Sequence, residues 1–215
     1  FGLVFAIIQY RKGKVLFNKS YWRFALAFNV PLIPHYLSMI VLNNSDRILI
    51  DRFVGADKAG IYSLAYSASM LTLIFIQSIN ASFVPWTYRK MKEQSYEIIG
   101  KYAAILLVIT GVIIIGLISV APEVVQLLAP AEYYEAIWII PPVALGAYFI
   151  FVYMLFANIE FFFEENYFVL IASLIAGISN IGLNWVLIPR FGYIVAGYTT
   201  LFTYVVFGFM HYVCM

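Results

Sequence analysis

The 215 residues carry a formal net charge of +2; 64% are hydrophobic and only 11% are charged. A mean hydropathy of +0.91 excludes a soluble globular domain, because a chain of this length could not bury so much apolar surface. The single cysteine, Cys214, excludes an intramolecular disulfide and a cysteine-only metal site. The composition therefore predicts a membrane protein, and we predict no nucleic-acid partner.

Apolar runs of about 20 residues, the length that crosses a hydrocarbon core of about 30 Å, predict six transmembrane segments. The runs lack the strict alternation of a lipid-facing strand, so helices are expected. An apolar stub, residues 1–9, is too short to cross and begins with Phe rather than Met, so we expect it to end a preceding transmembrane helix of a longer protein. The six predicted spans are 31–54, 59–87, 102–121, 139–163, 167–188 and 193–215.

Residues 10–30 are predicted to be a cytoplasmic linker and an interfacial helix, followed by a six-helix unit over residues 31–215. Nine of the 13 Lys and Arg residues lie either in this linker or between the second and third spans, which places both loops on the cytoplasmic side. On the opposite side, residues 122–130 are predicted to form a short amphipathic element. The nine basic residues are Arg11, Lys12, Lys14, Lys19, Arg23, Arg89, Lys90, Lys92 and Lys101.

Four charges, Asp46, Arg47, Asp51 and Arg52, stand near the end of the first span. Ionisable groups at membrane depth are costly, so they usually mark a pathway or a pairing. One interpretation is a structural ion-pair ladder, because Arg47 and Asp51 are four residues apart on a helix. The other is that Arg47 faces an aqueous cavity and binds an anion. We favour the second interpretation for Arg47, with the two aspartates orienting the arginines.

Polar side chains recur inside the spans, where lipid offers an amide no partner. Ser173, Gly177, Asn180 and Asn184 follow one another at four, three and four residues and so form one helix stripe. Such stripes can face a water-filled cavity, although small residues and amides also hold helices together in any polytopic protein. Glu160, also within a span, could instead reach the head groups.

Motifs for enzymatic chemistry are absent from the sequence. It has no phosphate-binding glycine loop, no paired histidines with metal-ligand spacing and no serine elbow. We therefore predict no enzymatic activity, no cofactor and no metal site.

Several short motifs resemble the Wzx-type flippases of the polysaccharide transporter family, within the multidrug/oligosaccharidyl-lipid/polysaccharide exporter superfamily. The resemblance covers nearly the whole chain, and the Asp-Arg followed by Gly-Ile-Tyr is its more specific part. Where relatives commonly have a glycine before the outer Glu-Tyr, this chain has Ala129-Pro130-Ala131. The motifs are Pro31 to His35, Asn44 to Arg47, Val54-Gly55, Ala59 to Tyr66, Pro122 to Leu128, Tyr134 to Ala136, Ile140 to Pro142 and Asn184 to Gly192.

This resemblance implies an all-α, MATE-like fold of two six-helix lobes, of which this chain would be the C-terminal lobe. It also implies movement of undecaprenyl-pyrophosphate-linked oligosaccharide across a bacterial or archaeal cytoplasmic membrane by alternating access. Arg47, helped by Arg52, would attract the anionic part of the substrate. Glu160 or His35 would couple transport to an ion gradient. The amides expected to bind sugar hydroxyls are Asn43, Asn44, Gln77, Asn80, Asn180 and Asn184.

The implied partners are the lipid-linked substrate, the bilayer and the missing N-terminal lobe, with a polysaccharide polymerase and glycosyltransferases as further candidates. Lipid II flippases and MATE-type drug exporters share the architecture and remain alternatives. More distant alternatives are a membrane-embedded polymerase or acyltransferase, or a purely structural lobe. Without its partner lobe this unit has no second wall for an alternating cavity, so we expect it to be inactive alone.

Overall fold

A computed structural model describes residues 2–13 and 18–214, and within these ranges the regular elements are all helical. The described residues form nine α-helices, and one 3₁₀ segment, Ala131–Trp138, lies between the sixth and seventh. The α-helices are α1 (Gly2–Gly13), α2 (Lys19–Asn29), α3 (Leu32–Phe53), α4 (Ala56–Met70), α5 (Thr72–Lys92), α6 (Tyr96–Leu128), α7 (Ile140–Phe162), α8 (Asn166–Phe191) and α9 (Val195–Cys214).

Two glycines with positive φ mark the ends of helices. Gly55 ends α3 with φ of 122°, and Gly192 ends α8 with φ of 81°. A side chain on the Cα is disfavoured at such angles, so glycine lets the chain leave each helix and turn back within a few residues. The first full predicted span, 31–54, and the fifth, 167–188, therefore end close to the observed helix ends.

One predicted boundary is wrong, and one predicted span is interrupted. The second predicted span, 59–87, lies within one long apolar helical stretch, Ala56–Lys92, in which the single residue Leu71 separates α4 from α5. The outer element predicted to start at Pro122 is instead the end of α6, which runs through this proline to Leu128. Proline is tolerated within membrane helices because local adjustments satisfy the carbonyl that loses its partner.

Five helical stretches in the described part of the chain are long and apolar enough to cross a membrane. They correspond to the first five predicted spans. The sixth predicted span coincides with α9, which is 20 residues long but carries polar Thr199, Thr200, Thr203 and His211. The chain is thus an all-helical, multi-pass membrane protein.

The helices pack around α7 and α9. Helix α3 packs on α8, α8 on α9, and α9 on α7, while α7 also contacts α4, α5 and α6. Helix α7 is the most buried of the five crossing stretches and α6 the least, so α6 presents a broad apolar surface to its surroundings. Helix α2 has no buried residue, and its N-cap is Asn18, whose side-chain oxygen accepts hydrogen bonds from the backbone N–H groups of Ser20 and Tyr21. Its predicted interfacial position stays a prediction.

Candidate functional site

A cavity of about 350 Å³ lies between α3, α5 and α7. Its wall contains three predicted amides, Asn43, Gln77 and Asn80, and the predicted His35. A fourth amide, Asn158 of α7, donates to Asn80 Oδ1 at 2.7 Å. The fold therefore brings polar side chains from three helices to one cavity. The remaining wall is apolar or aromatic: Tyr36, Met39, Leu73, Ile150, Tyr153, Met154, Ala157 and Phe161.

A larger cavity, about 460 Å³, lies between α5, α6 and α7 and is almost wholly apolar. Phe83, Leu107 and Phe156 are among its lining residues, and none of the predicted site residues belongs to its wall. This lining suits lipid chains better than a polar ligand, so we take the amide-lined cavity as the candidate site.

Arg47 lies one helical turn beyond Asn43, on the same face of α3. Its guanidinium carbon stands 4.8 Å from the centre of the Tyr66 ring, a cation–π contact. The Tyr66 hydroxyl in turn donates to Asn43 Oδ1 at 2.7 Å. Arg47 Nε is buried and has no hydrogen-bond partner among the described residues. The arginine is therefore held beside the cavity wall by an aromatic ring and keeps an unused donor.

The predicted ion pairs of Asp46 and Asp51 with arginines do not form. In the described part of the chain acidic side chains meet basic ones at Lys58–Glu135, Lys90–Glu93 and Glu160–His211. Asp51 and Arg52 are exposed, and the Arg52 guanidinium lies over the Trp185 ring at 5.1 Å. The predicted helper role of Arg52 at the cavity is thus unsupported by its position.

Asp46 is fully buried and is hydrogen-bonded by neutral groups instead. Its carboxylate accepts from the Tyr62 hydroxyl, the Thr200 hydroxyl and the Asn184 amide, each at 2.6 Å. Asn180 is also buried and donates to Thr200 Oγ1 at 3.2 Å. The two predicted amides of α8 therefore serve this network between α3, α4, α8 and α9. They do not line the cavity.

Asn44 is exposed and donates to the backbone carbonyl of Ile40 in its own helix at 2.7 Å. It lies outside the cavity wall. A side-chain amide that bonds the carbonyl four residues earlier is a common local arrangement and gives no sign of a ligand.

Glu160 is buried rather than extended to the head groups. His211 Nδ1 lies 2.7 and 2.8 Å from its two carboxylate oxygens. The His211 ring is tilted by 54° against the ring of Tyr153, whose hydroxyl is 3.3 Å from His35 Nε2. His35 is buried, as expected of a packed histidine, and also reaches the cavity. A role of Glu160 or His35 in ion coupling stays a prediction.

Sequence reasoning overlooked several residues that now organise the site. Tyr66 and Tyr204 both donate to Asn43 Oδ1, and Tyr62 and Thr200 bind Asp46. Their partners are 16 to 161 residues away in sequence. The sequence signal for them was the row of polar residues in α9, Thr199, Thr200, Thr203 and Tyr204, but the sequence does not show which helices these residues contact.

One polar contact joins the 3₁₀ segment to α4. Lys58 Nζ donates to Glu135 Oε2 at 2.6 Å, and the Tyr193 hydroxyl donates to the same oxygen. The hydrogen bond from Lys58, with that from Tyr193, holds the pKa of Glu135 below its ordinary value. The contact ties the connection between α6 and α7 to the start of α4.

Comparisons with known proteins agree with this architecture. Residues 1–91 match the model of a family described as polysaccharide biosynthesis protein. A 71-residue stretch is 30% identical to Lsg locus putative protein 1 of Haemophilus influenzae, and it covers 33% of this chain and 18% of that protein. A solved MOP superfamily transporter from Pyrococcus furiosus superposes with a TM-score of 0.67 at 18% identity, over 88% of this chain and 44% of the transporter.

These findings confirm the resemblance to a polysaccharide-biosynthesis family and the fold of a MOP superfamily transporter. The chain spans less than half of the length of the solved transporter. The match to the transporter rests on structure, since its sequence identity is low. The coarse description is therefore a multi-pass membrane protein of transporter fold with polysaccharide-biosynthesis relatives.

Proposed function

We propose that this chain is the C-terminal lobe of a flippase that moves undecaprenyl-pyrophosphate-linked oligosaccharide across the cytoplasmic membrane by alternating access. In this proposal the protein is not an enzyme. Its match to 44% of a solved transporter fits one lobe of a two-lobe molecule. The family match over residues 1–91 favours a polysaccharide precursor as substrate.

The observation that carries the proposal is the amide-lined cavity with a cation beside it. Asn43, Gln77 and Asn80 offer both donors and acceptors at the wall of an otherwise apolar bundle. Hydroxyl-rich sugars need this kind of lining, because each buried hydroxyl must find a hydrogen-bond partner. Arg47 adds an unshared positive charge one turn away, which suits a pyrophosphate or an acidic sugar.

In this mechanism Arg47 contacts the anionic part of the substrate, and the amides bind sugar hydroxyls. Tyr66 positions Arg47 through its ring and Asn43 through its hydroxyl. We leave Arg52 and Asn44 out of the contact set because both are exposed and neither lines the cavity. Asn180 and Asn184 are also left out, since their amides are engaged around Asp46.

The test is complementation of a flippase-null strain with the full-length gene, with surface polysaccharide and membrane expression measured together. We expect Arg47→Ala to lose most surface glycan at normal expression, and Arg47→Lys to keep part of it because the charge remains. Arg52→Ala is the matched control, an exposed arginine of the same helix, and should complement like wild type. Equal glycan with Arg47→Ala and wild type would remove the substrate contact from the proposal.

The rival within transport is a drug exporter, because Met39, Met154 and Phe161 give the cavity a soft, adaptable wall. Arg47 would repel a lipophilic cation in this cavity, which counts against the export of cationic drugs. Drug-resistance assays in the same strains separate the two: resistance conferred by wild type and increased by Arg47→Ala would favour the exporter. A lipid II flippase is separated by whether the gene supports growth when the cell's own lipid II flippase is depleted.

A further inference from the structure

An open groove of about 770 Å³ lies between α5 and α6 and shares no wall residue with the amide-lined cavity. Along α5 its wall extends from Ser78 to Arg89, which is roughly 16 Å of helix. Arg89 stands in the last turn of α5 and is exposed. The groove therefore has a charged end and a long wall leading away from it. The other wall residues are Ile79, Ser82, Phe83, Trp86, Tyr102, Ile105 and Leu106.

Aromatic rings join the two sides of the groove near its charged end. Trp86 of α5 stacks on Phe83 with ring centres 5.2 Å apart. The same ring meets Tyr102 of α6 edge to face, also with centres 5.2 Å apart. Trp and Tyr are enriched where a membrane meets water. The Arg89 end is therefore expected at the level of the lipid head groups, with the Ser78 end in the hydrocarbon.

Basic side chains are in excess around this end. Residues 86–102 contain four basic residues and two acidic ones. Lys90 pairs with Glu93 at 2.6 Å. These basic residues belong to the set that predicts the cytoplasmic side of the membrane. Three of them are exposed and form no ion pair with any residue that the structure describes: Arg89, Lys92 and Lys101.

We propose that this groove binds an anionic phospholipid from the leaflet on the predicted cytoplasmic side. The phosphate of the head group lies at Arg89, whose planar guanidinium can donate two parallel hydrogen bonds to phosphate oxygens. An acyl chain follows the apolar wall toward Ser78. Basic pockets between transmembrane helices on the cytoplasmic side commonly bind anionic head groups.

The long apolar wall favours a lipid over a free phosphate, which would contact only the Arg89 end. The two serines of the wall do not call for a polar ligand, because their hydroxyls are already used. Ser78 donates to the carbonyl of Ile74 at 2.7 Å, and Ser82 donates to the carbonyl of Ser78 at 3.2 Å. Their small side chains instead leave space for an acyl chain. The inference does not rest on the proposed substrate, since lipid binding can be measured without any glycan.

The experiment uses the full-length protein that contains this chain, reconstituted in phosphatidylcholine vesicles. A brominated phospholipid quenches the fluorescence of a tryptophan that it contacts, and Trp86 lies in the groove wall. The difference between wild type and Trp86→Phe isolates the signal of Trp86. We expect brominated phosphatidylglycerol, which is anionic, to quench Trp86 at about one fifth or less of the mole fraction that brominated phosphatidylcholine needs, because each basic residue strengthens binding to anionic lipid about fivefold.

Two variants, each with a matched control, locate the lipid. Arg89→Gln should reduce the preference for phosphatidylglycerol about fivefold. Arg190→Gln, which replaces an exposed arginine near the end of α8, should keep the full preference. Ser82→Phe narrows the groove and leaves every charge in place, so both brominated lipids should quench Trp86 less. Ser119→Phe, at an exposed serine of α6 outside the groove, should behave like wild type.

Equal quenching of Trp86 by the two lipids in wild type would overturn the site, and so would an unchanged preference in Arg89→Gln. Unchanged quenching in Ser82→Phe would remove the acyl chain from the groove, which decides the matter even where Arg89→Gln fails to fold.

Competitors separate the lipid from other phosphate ligands. Inorganic phosphate that abolishes the preference, when it replaces chloride at equal ionic strength, would assign Arg89 to a soluble anion instead. Undecaprenyl phosphate that displaces phosphatidylglycerol at a much lower mole fraction would assign the groove to the transported lipid instead. Phosphatidylglycerol binding without glycan flipping would leave this inference standing and count only against the proposed function.

Discussion

Replacing His211 by phenylalanine should strongly destabilise the protein, although the new ring has nearly the same shape. His211 is fully buried among Tyr153, Phe168 and Phe207, with ring centres 4.9, 5.3 and 4.7 Å away. Phenylalanine can keep these ring contacts but cannot pair with Glu160. The buried carboxylate then loses its partner, which costs about 3–5 kcal/mol when one side of a buried ion pair is removed.

The predicted loss of stability comes from leaving the Glu160 carboxylate buried without a partner. Removing this carboxylate as well should therefore recover most of the lost free energy of unfolding. Glu160→Leu combined with His211→Phe should be within about 2 kcal/mol of wild type, since apolar replacements of a buried pair are often nearly neutral. The two single variants and the double variant form a double-mutant cycle, and we expect a coupling free energy of about 2–3 kcal/mol between the two positions.

The assay is reversible unfolding of the full-length protein in mixed micelles with increasing denaturing detergent, followed by tryptophan fluorescence. Glu164→Gln serves as the control, because Glu164 is an exposed carboxylate just beyond α7 and should change the free energy of unfolding little. A His211→Phe variant as stable as wild type would refute the argument that the unpaired Glu160 carboxylate destabilises the protein. So would a double variant that is no more stable than His211→Phe alone.

Two further predictions concern the chain outside the polar clusters. Gly192→Ala should lower the free energy of unfolding by about 1 kcal/mol because its φ of 81° disfavours a side chain, whereas Gly182→Ala in mid-helix, with open space around it, should be neutral or stabilising, as thermal unfolding can check. Lys58→Gln should cost no more than about 1 kcal/mol, since the Lys58–Glu135 pair is largely exposed. Because the pKa of Glu135 is lowered in the folded protein, its contribution is present at neutral pH and is lost as the pH falls through that lowered pKa. Unfolding measured down the acidic range should therefore show a smaller pH dependence in Lys58→Gln, and an identical dependence would contradict the assignment.

The transmembrane helices could be predicted because hydrophobic length is a local property of the sequence. The exceptions have local reasons too. Residues 70–72, Met-Leu-Thr, contain neither glycine nor proline, yet α4 ends there, and the Thr72 hydroxyl binds the carbonyl of Ser69. Pro122 predicts a helix boundary, but α6 continues through it. Composition therefore predicts where the membrane spans lie more accurately than it predicts where the helices break.

The site was harder to predict because its partners are distant in sequence. Spacing by four residues suggested that Arg47 pairs with Asp51, but the structure turns Arg47 to the Tyr66 ring and leaves Asp51 exposed. Asn184 and Thr200 reach Asp46 from 138 and 154 residues away. Helix periodicity says which residues share a face and does not say which other helix that face meets. Of the six predicted amides, Asn43, Gln77 and Asn80 line one cavity, and their role in substrate binding stays a prediction.

Helix α3 connects the cavity with the buried hydrogen-bond network around Asp46. Asn43 and Asp46 are three residues apart, so they lie within one helical turn. Both residues accept hydrogen bonds from the same two helices, α4 and α9. Tyr66 of α4 and Tyr204 of α9 donate to Asn43, and Tyr62 of α4 and Thr200 of α9 donate to Asp46. A shift of α9 against α3 therefore changes both sets of hydrogen bonds at once.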